Sequence, residues 1–159
     1  MASRDDMTED RDLLLDSVGA AFSRLRRRTT QVAVDPPVSR KDLTRNLVIN
    51  VVDESPDEVS VGRLAERLSI DPSVASRMAA DCIANGYLVR APSQEDGRRT
   101  ILRITPDGLA LRDRFRSQQR QAFEHITRDW PDDERLQLAR LVLKYADATA
   151  ALDEPSTTD

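Results

Sequence analysis

The pattern of apolar and polar positions predicts a helix near the start of the chain. Four apolar residues recur at steps of three and four, which places them on one face of a helix that opens at about Thr8. These residues are Leu14, Val18, Phe22 and Leu25. Pro36 and Pro37 interrupt the pattern, because proline lacks a backbone donor and restricts the residue before it. The helix therefore has an apolar face that needs a partner.

A second helix is predicted directly after the prolines. Ser39, with Asp42 three positions later, resembles a capping box, in which the serine oxygen accepts a backbone N–H from the first helical turn. Leu43, Leu47 and the run 48–52 supply the apolar positions that follow. We expect a short and largely buried helix.

The middle of the chain carries the start and stop signals of two further short helices. Ser60 is a suitable cap for the first. Asp71 is a suitable cap for the second, because Pro72 fits the first helical position. Asn85-Gly86 ends the second helix, since glycine tolerates the left-handed conformation that often follows a helix. Two helices joined by a tight turn form a helix-turn-helix arrangement.

Two strand-like runs, YLVR and TILRI, come next in the sequence. The segment between them contains Asp96-Gly97, a pair that favours a tight hairpin turn. A hairpin that follows a helix-turn-helix motif is a wing. The expected fold is therefore mostly α with a small β-wing.

The remaining third of the chain predicts two more helices. Thr105 and Pro106 suit the cap and first position of a long helix that runs to Trp130. Its apolar positions include Leu109, Phe115, Ala122, Phe123 and Ile126. Pro131 separates it from a last helix. The apolar face of that helix contains Leu138, Leu141, Tyr145 and Ala148.

Composition narrows the class of protein. The chain has 159 residues, enough for a single domain with one core. It contains no run of about 20 apolar residues, and its acidic opening MASRDDMTED does not resemble a signal peptide, so we expect a cytoplasmic protein without membrane association. With Cys82 and His125 as the single cysteine and histidine, we predict neither a metal site nor a cofactor. The sequence also lacks the glycine loops and catalytic motifs of common enzymes, so an enzyme is not expected.

Charge is distributed unevenly along the chain. Residues 1–16 hold six acids against two arginines, which accounts for the formal net charge of −4. Between residues 61 and 105, seven arginines face five acids. All but two of the 24 basic residues are arginines, whose planar guanidinium groups bind phosphate or guanine in a bidentate manner. The charge pattern therefore permits nucleic-acid binding without requiring it.

This order of helices and hairpin resembles the MarR family of dimeric bacterial transcription regulators over about residues 10–150. Asp96-Gly97-Arg98 looks like the Asp-x-Arg of the family's wing, and LRITPDG resembles the hallmark that follows it. LAERLSIDPSVASRM looks like the recognition element. The resemblance implies a winged helix-turn-helix region at 39–104, flanked by dimerisation helices at 8–35 and 105–150, with tails at 1–7 and 153–159.

Candidate DNA contacts follow from the wing and from the second helix of the motif. An arginine at a hairpin tip can enter a narrow minor groove, and the first turns of a recognition helix meet the major groove. The candidate residues are Ser73, Val74, Ser76, Arg77, Asp96, Arg98 and Arg99. Asp96 is expected to orient Arg98 by a charge-assisted hydrogen bond. Arg77 has an alternative role in an ion pair with Asp81 four residues later.

The predicted function is that of a DNA-binding repressor that binds double-stranded, pseudo-palindromic DNA as a homodimer. The resemblance implies release by a small aromatic effector, and the residues considered for its site are Phe22, Asn50 and His125. Two alternatives remain open. One is a winged helix that binds proteins and has lost DNA binding. The other is a regulator that senses oxidants through Cys82.

Overall fold

The chain folds into six helices and one two-stranded antiparallel sheet in the residues that its computed structural model describes. These are the backbone of residues 4–28 and 39–150 and the side chains of residues 10–25 and 39–149. The elements are α1 Arg4–Arg28, α2 Arg40–Glu54, α3 Val61–Leu68, α4 Pro72–Ala84, β1 Leu88–Pro92, β2 Thr100–Ile104, α5 Pro106–Ile126 and α6 Asp132–Ala150. The expected fold class, mostly α with a small β-wing, is confirmed.

Four helices begin at the caps that the sequence predicts. In each case the cap side chain accepts a backbone N–H from the first turn, at 2.7–3.2 Å. The caps are Ser39 for α2, Ser60 for α3, Asp71 for α4 and Thr105 for α5. These bonds satisfy N–H groups that have no partner within the helix itself, so the start of each element is fixed by local chemistry.

Gly86 ends α4 and leads the chain into the wing. Its φ of 78° lies in the left-handed region, as predicted for the residue after the helix. Behind it, the N–H of Tyr87 donates to the carbonyl of Cys82 at 2.9 Å, which closes the last turn. The Thr105 hydroxyl donates to the Gly86 carbonyl at 2.6 Å and so ties the start of α5 to this turn.

The main core lies under the helix-turn-helix motif. Its fully buried side chains come from α2, α3, α4 and both strands, and they include Val48, Leu64, Ala79, Cys82 and Leu88. A smaller cluster joins Ile49 of α2 to Leu111 and Phe115 of α5. Because α2 contributes to both clusters, it connects the winged segment to the long helix α5.

The winged segment meets α5 at Gly108. A Cβ atom at this position would overlap the carbonyl oxygen of Tyr87 and press against the side chain of Ile104. Gly108 is buried, so only a hydrogen atom fits between α5 and the chain that enters the wing.

Several boundaries differ from the sequence prediction. Helix α1 begins at Arg4 rather than at about Thr8, since no proline or glycine precedes Thr8 to stop it. Helix α5 ends at Ile126 rather than at Trp130. The prolines at 36 and 37, the segment 29–35 and the tail 153–159 lie outside the described residues.

Two further expectations are corrected. Helix α2 is buried on one face only, since Leu43 and Leu47 are 43% and 47% exposed. The hairpin turn is not a tight two-residue turn: seven residues separate Pro92 from its pairing partner Thr100, and Gly97 does not have a positive φ. Side-chain hydrogen bonds, described below, hold this longer loop together.

Candidate nucleic-acid interface

The recognition helix candidate, α4, presents polar side chains on one face and packs the other on the core. Ala75, Ala79 and Cys82 are buried beneath it. The sequence-predicted contact residues Ser73, Ser76 and Arg77 are exposed, and Val74 is half-buried at the edge of the same face. The period of the helix therefore brings the predicted polar residues together on the outer surface.

Arg77 does not form the ion pair with Asp81 that the sequence left open. Asp81 is instead bound by Arg45 of α2, with the guanidinium Nε 2.7 Å from one carboxylate oxygen and Nη2 3.3 Å from the other. This pairing lowers the pKa of Asp81 below its usual value, chiefly through the hydrogen bond from Arg45. Arg77 is left without an ion-pair partner among the described side chains.

The tip of the wing is a compact turn over residues 96–99. The carboxylate of Asp96 accepts the backbone N–H of Arg98 at 3.1 Å, and its carbonyl accepts the N–H of Arg99 at 2.8 Å. Asp96 therefore holds Arg98 by a charge-assisted hydrogen bond, and that bond goes to the main-chain N–H of Arg98. The side chains of both arginines are exposed.

Exposed arginines without ion-pair partners are the common feature of this segment. Among the described side chains, six arginines of residues 61–105 are exposed and have no carboxylate within ion-pair distance. They are Arg67, Arg77, Arg90, Arg98, Arg99 and Arg103. Arg67 and Arg90 are not among the contacts predicted from the sequence, although the excess of arginine between residues 61 and 105 is a signal that points to them.

The three residues considered for an effector site lie on three different helices. Phe22 of α1 stacks on Tyr145 of α6, with ring centroids 5.1 Å apart. Asn50 is half-buried on α2, and His125 is exposed near the end of α5. A cleft of about 420 Å³ lies elsewhere, between the start of α3 and the wing loop, and it is lined by charged residues that include Glu58, Glu66, Glu95 and Arg99.

Cys82 is fully buried under α4. Burial raises the pKa of its thiol to about 11, so the reactive thiolate is scarce at neutral pH. Its sulfur lies 3.9 Å from the carbonyl oxygen of Arg45. The thiol is therefore part of the contact between α2 and α4.

The described residues, 4–28 and 39–150, contain neither a candidate metal site nor a candidate membrane-spanning helix. No group of three or more histidine, cysteine, aspartate and glutamate side chains there is arranged to hold a metal ion. No helix in these ranges has the length and apolar character needed to cross a membrane.

The MarR family model matches residues 42–99, which cover α2 from Asp42 onwards, the helix-turn-helix motif and the wing as far as Arg99. Similar solved structures extend the likeness to nearly the whole chain. A MarR family protein from Bacillus stearothermophilus is 15% identical, with a TM-score of 0.58, and the match covers 94% of this chain and 99% of that protein. No curated protein has a significantly similar sequence.

Two other structures have the same fold. The PcaV transcriptional regulator from Streptomyces coelicolor is 21% identical, with a TM-score of 0.53, and the match covers 84% of this chain and 97% of PcaV. MepR from S. aureus, solved with bound ethidium bromide, is 12% identical, with a TM-score of 0.53, and the match covers 87% of this chain and 95% of MepR. The resemblance read from the sequence is confirmed: the chain has the winged-helix fold of the MarR family of transcription regulators.

Proposed function

We propose that the protein is a transcription regulator that binds double-stranded DNA as a homodimer. The observation that carries this proposal is the set of six exposed, unpaired arginines on the helix-turn-helix motif and wing. Exposed like charges that form no ion pair repel one another, and bound phosphate groups reduce this repulsion. The MarR fold supports the same conclusion, since PcaV is a transcriptional regulator of that fold.

The contacts are proposed residue by residue. Ser73, Ser76 and Arg77 face the major groove from the start of α4, with Val74 at the edge of the contact. Arg98 enters the minor groove from the wing tip, with Asp96 fixing its backbone, and Arg99 binds phosphate beside it. Arginine side chains at both ends of the interface give the complex a register as well as affinity.

The homodimer is proposed from the apolar surface of α1 and α6. Leu13, Leu14 and Leu15 of α1 are 58–68% exposed, and Leu141 and Leu143 of α6 are 55% and 65% exposed. An isolated chain leaves this surface in water, and a second copy offers the same apolar faces in return. The twofold axis then sets two recognition helices about one helical turn of DNA apart, roughly 34–36 Å.

We also propose an effector that releases the protein from DNA. MepR, which has the same fold, was solved with ethidium bromide, a flat aromatic cation. A ligand that changes the distance between the two winged segments of a dimer competes with DNA through the conformational equilibrium. We propose that the protein is a repressor that the effector releases from DNA. Phe22, Asn50 and His125 are the first positions to test for the effector site.

Selection of genomic fragments tests DNA binding directly. The purified protein is incubated with sheared genomic DNA, and retained fragments are sequenced and used in binding assays with the parent and with the Arg77→Ala and Arg98→Ala variants. Each variant should lose about 1–3 kcal/mol of binding free energy per specific contact while its helicity stays unchanged.

The matched control is Arg128→Ala, which removes an exposed arginine far from the motif in sequence. It should bind the same fragments as tightly as the parent. If no fragment is enriched, or if Arg98→Ala binds as well as the parent, a winged helix that binds proteins becomes the better description.

Sedimentation equilibrium tests the homodimer. The expected mass is twice that of the 17.9 kDa chain at micromolar concentration. A folded monomer at this concentration would contradict the proposal.

A further inference from the structure

The loop of the wing is fastened at its base by a residue outside the wing. Glu58 lies in the segment between α2 and α3, and one of its carboxylate oxygens accepts the backbone N–H of Gln94 at 2.7 Å. The other accepts a hydrogen bond from the hydroxyl of Ser93. Ser93 is the first residue after β1 and is 4% exposed, so Glu58 anchors the loop at its buried start.

Ser93 connects Glu58 to the tip of the loop by further hydrogen bonds. Its hydroxyl oxygen accepts two backbone N–H groups, from Glu95 at 3.1 Å and from Asp96 at 3.0 Å. Its own N–H donates to the carbonyl of Arg99 at 2.9 Å. Asp96 in turn accepts the N–H of Arg98. An unbroken series of hydrogen bonds therefore runs from Glu58 to the backbone that presents Arg98.

The series requires a carboxylate at position 58. The Ser93 oxygen uses both lone pairs on the N–H groups of Glu95 and Asp96, so its hydrogen must point to an acceptor. The Gln94 N–H needs a second acceptor on the same side chain. A carboxylate offers two accepting oxygens, whereas an amide offers one oxygen and one NH₂ group that finds no free lone pair on Ser93.

From this arrangement we propose that Glu58 is the positioning residue of the wing, which fixes the loop in the conformation that presents Arg98 to DNA. The inference rests on the proposed DNA binding, in which Glu58 itself has no part as a contact. The hydrogen bond from Ser93, and then that from Gln94, lower the pKa of Glu58, so the carboxylate is charged at neutral pH. The negative charge of Glu58 repels phosphate, but it also attracts Arg103 and Arg99 of the wing and accepts the hydrogen bonds of the loop.

The sign of the effect on DNA binding separates this role from simple electrostatics. Removing an acid from a DNA-binding surface reduces repulsion and should strengthen binding. Glu58→Gln should instead weaken binding, by about tenfold, because the tip loses its fixed conformation. Asp57→Asn is the matched control, since Asp57 lines the same cleft, is exposed and makes no hydrogen bond to the loop among the described residues. It should bind DNA as tightly as the parent or more tightly.

A double-mutant cycle with Arg98 shows whether Glu58 acts through the wing. The tenfold loss from Glu58→Gln should be clearly smaller when Arg98 is already alanine, because part of the effect of Glu58 is exerted through Arg98. Ser93→Ala should reproduce the effect of Glu58→Gln. Equal losses in the parent and in the Arg98→Ala background would overturn the proposal, as would a Glu58→Gln variant that binds like Asp57→Asn.

Limited digestion with trypsin tests the loop without DNA. Cleavage after Arg98 and Arg99 should be faster in Glu58→Gln and in Ser93→Ala than in the parent and in Asp57→Asn, with circular dichroism confirming that all variants are folded. If the parent binds no DNA but this difference in cleavage is found, the proposed function fails while the loop anchor stands. If cleavage rates are equal, Glu58 does not fix the loop and the inference is wrong.

Discussion

The arginines of the helix-turn-helix motif and wing differ in exposure and in ion-pair partners from the arginines on the facing helices α2 and α5. Arg45 and Arg112 are only 13% and 17% exposed in their side chains, and each binds two aspartates. Arg77 and Arg98 are exposed and have no ion pair among the described side chains. One set has its partners inside the fold, whereas the other is free to bind a partner outside it.

The paired set fastens α2 to its two neighbours. Asp42 lies between Arg45 of the same helix and Arg114 of α5, at 3.1 and 3.2 Å. Through Asp81, Arg45 also holds α4, the candidate recognition helix. The burial of Arg45 and Arg112 indicates that these two arginines contribute to the stability and geometry of the fold. The unpaired set should contribute little to stability and much to binding, and this difference can be measured.

The largest expected difference between the two sets of arginines is in their response to salt. If six or more phosphates are neutralised, affinity for DNA should fall by ~10³ or more between roughly 50 and 200 mM salt, because bound counterions are released from DNA. The free energy of unfolding should change far less over the same range, since half-buried pairs are weakly screened. Fluorescence anisotropy with a labelled fragment and urea denaturation measure the two quantities. DNA binding that is insensitive to salt would remove the distinction.

The contact between the winged segment and α5 at Gly108 should be the position where a substitution lowers stability most. Gly108→Ala should cost about 3 kcal/mol of unfolding free energy, because the new methyl group meets the carbonyl of Tyr87 and neither backbone can move freely. The control is Gly62→Ala on α3, where the nearest atom is the Ser60 hydroxyl at 3.7 Å. That change should stabilise the helix by about 0.5–1 kcal/mol. Urea denaturation measures both, and equal stabilities would show that Gly108 is not a packing constraint.

The elements whose signals are local could be predicted from the sequence. Ser39, Ser60, Asp71 and Thr105 each act on an N–H two or three residues away, so the residue and its spacing suffice to place the helix start. The same holds for Gly86, whose backbone conformation few other residues adopt. The order of these signals along the chain predicts the fold class and the position of the candidate recognition helix.

Contacts between distant residues could not be found in this way. Arg45 and Asp81 are 36 residues apart, and so are Glu58 and Gln94. Asp81 has Arg77 four residues before it, which made a local pair the natural expectation, but the packing of α2 on α4 supplies a closer arginine. The conformation of the wing loop was missed for the same reason, since the side chain that anchors it comes from another part of the chain.

Replacing Arg45 should distinguish a structural arginine from a binding one. Arg45→Met keeps much of the apolar stem but leaves Asp81 and Asp42 without their charged partner, which should cost about 2 kcal/mol of stability. The control Arg114→Met removes a single pair of an arginine that is 41% exposed, and should cost about 0.5 kcal/mol or less. Arg77→Met should leave stability unchanged.

The pH dependence of unfolding gives an independent check on Arg45. The pKa of Asp81 is lowered in the folded protein, so its contribution is present above the usual pKa of an aspartate and is lost as pH falls through the lowered value. Arg45→Met should therefore flatten the loss of stability in acid. A parent and variant with parallel acid profiles would show that this pair contributes nothing.

Substitution or oxidation of Cys82 should have the smallest effect on DNA binding, because its side chain is buried in the core and is not part of the exposed surface proposed to bind DNA. Its raised pKa of about 11 means that the neutral thiol is favoured by the fold, so stability linked to this group is complete below the ordinary thiol pKa and is lost as pH rises towards 11. At neutral pH the thiol should react slowly with iodoacetamide in the native protein and quickly in urea. Peroxide treatment of the parent should change DNA affinity no more than it does in Cys82→Ser. The opposite result would be a fast reaction in the native protein, together with a loss of DNA binding on peroxide treatment that does not occur in Cys82→Ser. It would make this cysteine a redox sensor that acts on the exposed arginines through the contact between α2 and α4.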